Sequence, residues 1–174
     1  MSPIRILMLL LLTATPLSVL GDSLLERIIN APRYSWIAGG YSQSVQESGE
    51  RGLVVSGGRM PVESGIGYQA YLEGTKLNDP DDDGMVYTLG AEQIFKWNWA
   101  YIGLGVSVAD RRTAVSGTYW NFRQRAGVRY KPEKKKWFLD LSLEHSSHCA
   151  RCGIEEDQAN TGMTSLVFQF GTEF

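Results

Sequence analysis

The stretch Trp137-Phe-Leu-Asp-Leu-Ser-Leu-Glu-His-Ser-Ser147 alternates without a break. Leu139, Leu141 and Leu143 fall on one face, and Asp140, Ser142 and Glu144 on the other. Successive side chains of a strand point to opposite sides, so the pattern reads as a β-strand with one apolar and one polar face. Carrying the count forward places His145 and Ser147 on the leucine face, next to each other along it. In a water-soluble sandwich that face would be core. In an outer-membrane barrel it would meet lipid, and a His/Ser pair there could act on a lipid.

The same punctuation extends outward in both directions. From Tyr34 onward, short alternating runs are separated by turn residues, and eight strands are expected at about 34–44, 52–60, 65–76, 85–95, 99–110, 118–130, 137–147 and 164–174. The connections take turns in length. Long loops at 46–51, 77–84, 111–117 and 148–162 alternate with tight ones around Pro61, Trp97-Asn98 and Pro132-Glu133. Short turns at one end, long loops at the other and an even strand count are the habit of bacterial outer-membrane barrels.

The sixth strand puts Phe122, Ala126, Val128 and Tyr130 on one side and Asn121, Arg123, Arg125, Gly127 and Arg129 on the other. Three arginines along one face suit a polar barrel lumen, where Glu92, Asp140 and Glu144 could pair with them. The last strand carries Leu166, Phe168, Phe170 and Thr172 on one face and ends on Phe174, like the C-terminal aromatic of outer-membrane proteins. Trp36, Trp97, Trp99, Trp120 and Trp137 lie near strand ends, as aromatic girdles at two interfaces require. A soluble lipocalin-type barrel would leave the Leu/Phe faces and the arginine face hard to place together. The expected fold class is therefore all-β, an eight-stranded antiparallel transmembrane β-barrel. Eight strands enclose only enough room for side chains, which argues against a porin. Glycines such as those in Ser56-Gly-Gly58 and Gly65-Ile-Gly67 have no phosphate-loop context and fit places where a small, curved barrel lacks room for side chains.

At 174 residues the chain has room for one domain. Arg5, an apolar run ending near Pro16 and the small residue Gly21 read as a secretory signal peptide over residues 1–21, leaving 22–174 for the barrel. Residues 22–33 have helical spacing before Pro32 and could be a short helix or a leader to the first strand. The 43% hydrophobic content and mean hydropathy of −0.18 would suit a soluble protein, and also a barrel in which only alternate residues face lipid. A net charge of −2 carries no nucleic-acid signal. Export implies an oxidising compartment, which makes Cys149 and Cys152 a disulfide candidate.

An exported barrel begins on the periplasmic side, so odd strands run outward and the long loops are extracellular. His145 and Ser147 then lie near the outer end of the seventh strand, facing the outer leaflet and its lipopolysaccharide. A serine hydroxyl needs a base to take its proton, and residues i and i+2 of a strand are ~7 Å apart along the backbone, a gap two side chains can close. Glu144-His145-Ser146-Ser147-His148, the later Asn160-Thr161-Gly162 and a final strand ending in an aromatic resemble the lipid A 3-O-deacylase (PagL-type) family of outer-membrane acyl hydrolases. Asn121-Phe122-Arg123-Gln124-Arg125-Ala126-Gly127 is similar to that family's Asn-Phe segment and Arg/Gly strand.

The resemblance implies an enzyme that removes the ester-linked acyl chain at the 3 position of lipid A, with Ser147 as nucleophile and His145 as general base. It also implies an acid two residues after Gly162, where this chain has Thr164. A hydroxyl there can accept from the imidazole N–H but cannot stabilise imidazolium as a carboxylate does. Glu155, Glu156 or Asp157 could substitute. The family's asparagine near the oxyanion is replaced by His148, so backbone N–H groups would carry that role. His145, His148, Cys149 and Cys152 have a composition zinc would accept, but that use competes with the base and with the disulfide, and neither a metal nor a cofactor is expected. Asp79-Pro-Asp-Asp-Asp-Gly84 reads as a solvated turn, with cation binding beside lipopolysaccharide phosphates as the alternative. The expected partner is lipid A in the outer leaflet of the bacterial outer membrane, with no nucleic acid and a homodimer left open. The competing readings are a non-catalytic barrel of the same fold and a phospholipase-like esterase.

Overall fold

In the computed structural model, which describes residues 30–45, 49–78, 84–111, 119–147 and 162–174, the alternating runs become eight strands. They are β1 (Arg33–Ser44), β2 (Arg51–Pro61), β3 (Ser64–Lys76), β4 (Met85–Trp97), β5 (Ala100–Ala109), β6 (Trp120–Tyr130), β7 (Trp137–Ser147) and β8 (Met163–Glu173). Each pairs antiparallel with its neighbours in chain order, and β1 closes onto β8 through pairs from Trp36 opposite Glu173 to Ser44 opposite Ser165. The result is a closed eight-stranded antiparallel barrel, and the described residues contain no helix. The observed bounds depart from the expected ones by one or two residues. Trp99, expected to open the fifth strand, sits in the two-residue turn Asn98-Trp99. Asn98 has φ 53° there, a left-handed conformation that asparagine tolerates better than most residues. Residues 1–29 lie outside the described residues, and with them the signal-peptide expectation and most of the 22–33 stretch, of which Arg33 opens β1.

The core is the lumen, and it is layered. At the short-turn end Trp36, Ala38, Met60, Ile94, Tyr101 and Phe138 pack together; Val54, Tyr71 and Val167 form a middle cluster; Leu77, Val86 and Ala109 lie toward the long loops. Trp36, expected in an aromatic girdle, is instead 1% exposed and meets Phe138 edge to face at 5.7 Å. Its place in the alternation, shared with Ala38 and Ser42, outweighs its nearness to a strand end. Trp97, Trp99 and Trp137 at the short-turn end and Trp120 at the long-loop end do point outward.

Between these layers runs a charged network. Arg123 reaches Glu73 (3.0 Å), Glu92 (3.2 Å) and Glu144; Arg125 reaches Glu92 (3.3 Å) and Glu144; Arg129 reaches Asp140 (2.8 Å). Neutral donors complete it. Ser42 donates to Glu73 (2.6 Å), Gln69 to Glu92 (2.7 Å) and Tyr101 to Asp140 (2.6 Å). The guanidinium of Arg123 lies 3.9 Å from the ring centre of Tyr71, and that of Arg129 lies 4.2 and 4.0 Å from those of Trp36 and Phe138. Burying charges costs several kcal/mol each, and only close pairing with hydrogen bonds to the remaining lone pairs offsets it. Two of the glycines expected at crowded points behave accordingly: a Cβ on Gly58 would run into the Tyr68 carbonyl, and one on Gly67 would come within 2.5 Å of the Arg59 carbonyl oxygen. The outer surface is the reverse of the lumen. Leu53, Leu72, Leu89, Leu104, Phe122, Leu143 and Phe168 represent a band of exposed apolar side chains around the strands.

Candidate functional site

His145 and Ser147 occupy the last turn of the alternation on β7, where the strand reaches the long-loop end. The face assignment holds. Phe138, Asp140, Ser142 and Glu144 are buried toward the lumen, Leu141 and Leu143 are exposed outward, and His145 and Ser147 are half-buried on the leucine side. Ser146, between them, points the other way and lines a small lumenal cavity of about 50 Å³ with Met163, Asn121 and Arg123. The strand wall separates that cavity from the pair, so His145 and Ser147 are reached from outside the barrel.

The pairing register supplies the neighbours. His145 lies opposite Thr164 on β8 and opposite Gln124 on β6; Ser147 lies opposite Phe122. The imidazole uses this register: His145 Nδ1 is 2.9 Å from Thr164 Oγ1. In the tautomer with the proton on Nδ1, His145 donates to the threonine hydroxyl and Nε2 keeps the lone pair a general base needs. The hydrogen-bond partner of the imidazole is thus Thr164, and among the described residues no hydrogen bond joins His145 to Ser147. Thr164, where the sequence resemblance expects an acid, does meet the histidine.

Gly162 closes the site from above. It has φ 55°, in the left-handed region, and a Cβ there would stand 2.8 Å from His145 Cε1 and 3.0 Å from Nε2. Only a residue without a side chain lets the backbone pass over the ring edge in this conformation. The remaining surface is apolar: Phe122, Leu143 and Leu166 are exposed around the pair, suited to contact with a hydrocarbon chain.

One neighbour of the pair and one member of the lumenal network were absent from the sequence-based reading. Gln124 is the polar exception on the outward face of β6, visible in its alternation but meaningful only once the register sets it beside His145. Glu73, which joins the arginine network, alternates on β3 like the other lumenal residues, yet its partner Arg123 is 50 residues away. His148, Cys149, Cys152, Glu155, Glu156, Asp157, Asn160, Thr161 and the acidic run 79–83 lie outside the described residues, so the oxyanion, disulfide and zinc expectations fall there too. Among the described residues, no cluster of three or more His, Cys, Asp or Glu side chains is arranged to hold a metal. No protein-family model matches the chain, and no curated protein matches it significantly.

Proposed function

We propose that this protein is a bacterial outer-membrane serine esterase that removes the 3-O-linked acyl chain of lipid A. The membrane part is supported by the inverted distribution of side chains. Monomeric soluble proteins rarely expose contiguous apolar patches above a few hundred Å², whereas this barrel is apolar around its outside and charged within. Strands of 10 to 13 residues suit the ~9–11 tilted residues that cross a bilayer. Exposed Trp97, Trp99 and Trp137 at one end and Trp120 at the other sit where interfacial girdles belong. The short turns then face the periplasm and the long loops the exterior.

The observation that carries the catalytic part is the end of β7. His145 is held through Nδ1 by Thr164, and Ser147 is the next residue on the same outward face. In the proposed reaction, Ser147 Oγ attacks the ester carbonyl while His145 Nε2 takes the hydroxyl proton. The imidazolium returns that proton to the departing sugar oxygen, leaving the acyl chain esterified to Ser147. Water, deprotonated by His145, then releases a free fatty acid. The experiment is mass spectrometry of lipid A from cells expressing the native chain or Ser147→Ala. Loss of one 3-hydroxyacyl mass with the native chain alone supports the proposal. Unchanged lipid A from correctly inserted native protein sinks it.

A second reading, a non-catalytic barrel of the same fold, is favoured by one observation: the partner of His145 is a hydroxyl and not a carboxylate. It expects no difference between the native chain and Ser147→Ala.

A further inference from the structure

The turn that joins β6 to β7 reads Lys131-Pro-Glu-Lys-Lys-Lys136 and leads straight into Trp137. Its backbone is pinned. Lys135 N–H donates to the Pro132 carbonyl (3.2 Å), and Glu173 N–H at the end of β8 donates to the Lys136 carbonyl (2.7 Å). Lys134 has φ 60°, the left-handed region where glycine or asparagine is the ordinary choice. Packing does not offset the strain of a lysine there, because Lys134, Lys135 and Lys136 are all exposed. None of the three forms an ion pair among the described residues, whereas Lys131 pairs with Glu173 at 2.5 Å.

Positive charge is in excess at this end of the barrel. Arg33 and Arg59, exposed at the short-turn ends of β1 and β2, add to the four lysines of the turn. The acidic side chains are Glu63, Glu133 and Glu173. Lys96 and the Phe174 carboxylate contribute one charge of each sign and cancel. Six cations thus stand against three acids, an excess of +3 in a chain whose side chains sum to −2. Lys96 and Arg129 are turned into the mouth and satisfied there, Lys96 by the carbonyls of Pro61 and Val62 and Arg129 by Asp140.

Lys134, Lys135 and Lys136 lie outside the residues that line the mouth cavity, which favours an extended anionic surface over an enclosed small anion. An ammonium on a flexible stem follows spread charge, whereas enclosed bidentate contacts call for arginine. Exposed Trp97, Trp99, Tyr130 and Trp137 stand at the same end. Such rings sit among lipid headgroups, and lysines beside them are drawn to a negatively charged leaflet.

We infer that the short-turn rim is a docking surface for phospholipids of net negative charge, with Lys134, Lys135 and Lys136 against their phosphates and the exposed aromatic rings among their headgroups. Its placement at the inner leaflet rests on the membrane reading proposed above.

The test uses the full barrel purified in detergent and stripped of lipid. Native mass spectrometry at low ionic strength compares retention of phosphatidylglycerol and phosphatidylethanolamine with matched acyl chains. Flotation with phosphatidylcholine vesicles is scored separately. We expect phosphatidylglycerol to be preferred at least about tenfold, since each lysine near an anionic surface is worth roughly fivefold. The preference should shrink with added salt, which screens exposed charges. A variant carrying Lys134→Gln, Lys135→Gln and Lys136→Gln should fold, float and hold the two lipids equally. Arg51→Gln with Lys76→Gln, at the long-loop end, should keep the native preference. Parity in the native chain, an undiminished preference in the folded triple variant, or an equal loss in the long-loop variant overturns the inference. Lysine-dependent retention on purified peptidoglycan without any lipid preference also overturns it, and assigns the turn to the cell wall. A barrel that selects phosphatidylglycerol in detergent but never floats overturns the membrane reading and leaves the docking surface standing.

Discussion

Thr164 offers the sharpest test of how the site works. Replacing it with valine keeps the branched shape and removes the oxygen 2.9 Å from His145 Nδ1. A neutral hydrogen bond contributes a net ~0.5–1.5 kcal/mol, and one to a charged group ~1.5–3 kcal/mol. In the proposed reaction the imidazole becomes imidazolium as it takes the serine proton, which would strengthen the bond in the transition state. The difference, about 1–2 kcal/mol, predicts a rate loss of roughly 5- to 30-fold in Thr164→Val. Thr164→Asp, the shortest carboxylate, should move the rate the other way by a similar factor, because an ionised acceptor makes a bond about twice as strong. The assay is a time course of lipid A deacylation in isolated outer membranes, with the amount of folded barrel normalised by heat-modifiable gel mobility. A Thr164→Val rate within about twofold of native, alongside an inactive Ser147→Ala, would refute the role of Thr164 in orienting the base.

Three further outcomes follow from the same geometry. Gly162→Ala places a methyl 2.8 Å from His145 Cε1 in a left-handed backbone, so the barrel should fold but deacylate lipid A markedly more slowly. Arg125→Met leaves Glu92 and Glu144 buried with Arg123 as the shared cation; breaking buried pairs this way costs ~3–5 kcal/mol, read as a lower urea midpoint for unfolding in detergent. Leu141→Arg puts a charge midway along the outward face of β7. It should destabilise the barrel by ~2–4 kcal/mol in lipid vesicles if that face meets hydrocarbon, and an unchanged stability there would contradict the membrane reading.

Strand existence and strand face were legible in the residues because both are local. A period of two needs only near neighbours, so the outward side of β7 with His145 and Ser147, and the lumenal arginines of β6 with Glu92, Asp140 and Glu144, could be read directly. The misplacement of Trp36 has the same origin: position near a strand end suggested an interface, while the alternation of β1 had already put it with Ala38 and Ser42. Strand ends blurred where a single asparagine with positive φ decided that Trp99 would turn.

By itself, then, the sequence determined an eight-stranded barrel with a charged inside, an apolar outside and a histidine and serine at one outer end. What only the tertiary structure decided is which groups meet. Thr164 touches His145 across 19 residues of chain, Glu73 reaches Arg123 across 50, and Lys96, Arg129 and Glu63 share one mouth although they come from three strands and turns. Those meetings depend on the pairing register and on closure of β1 onto β8. Register is set by how all eight strands pack their side chains into one lumen at once, a constraint that no single stretch carries.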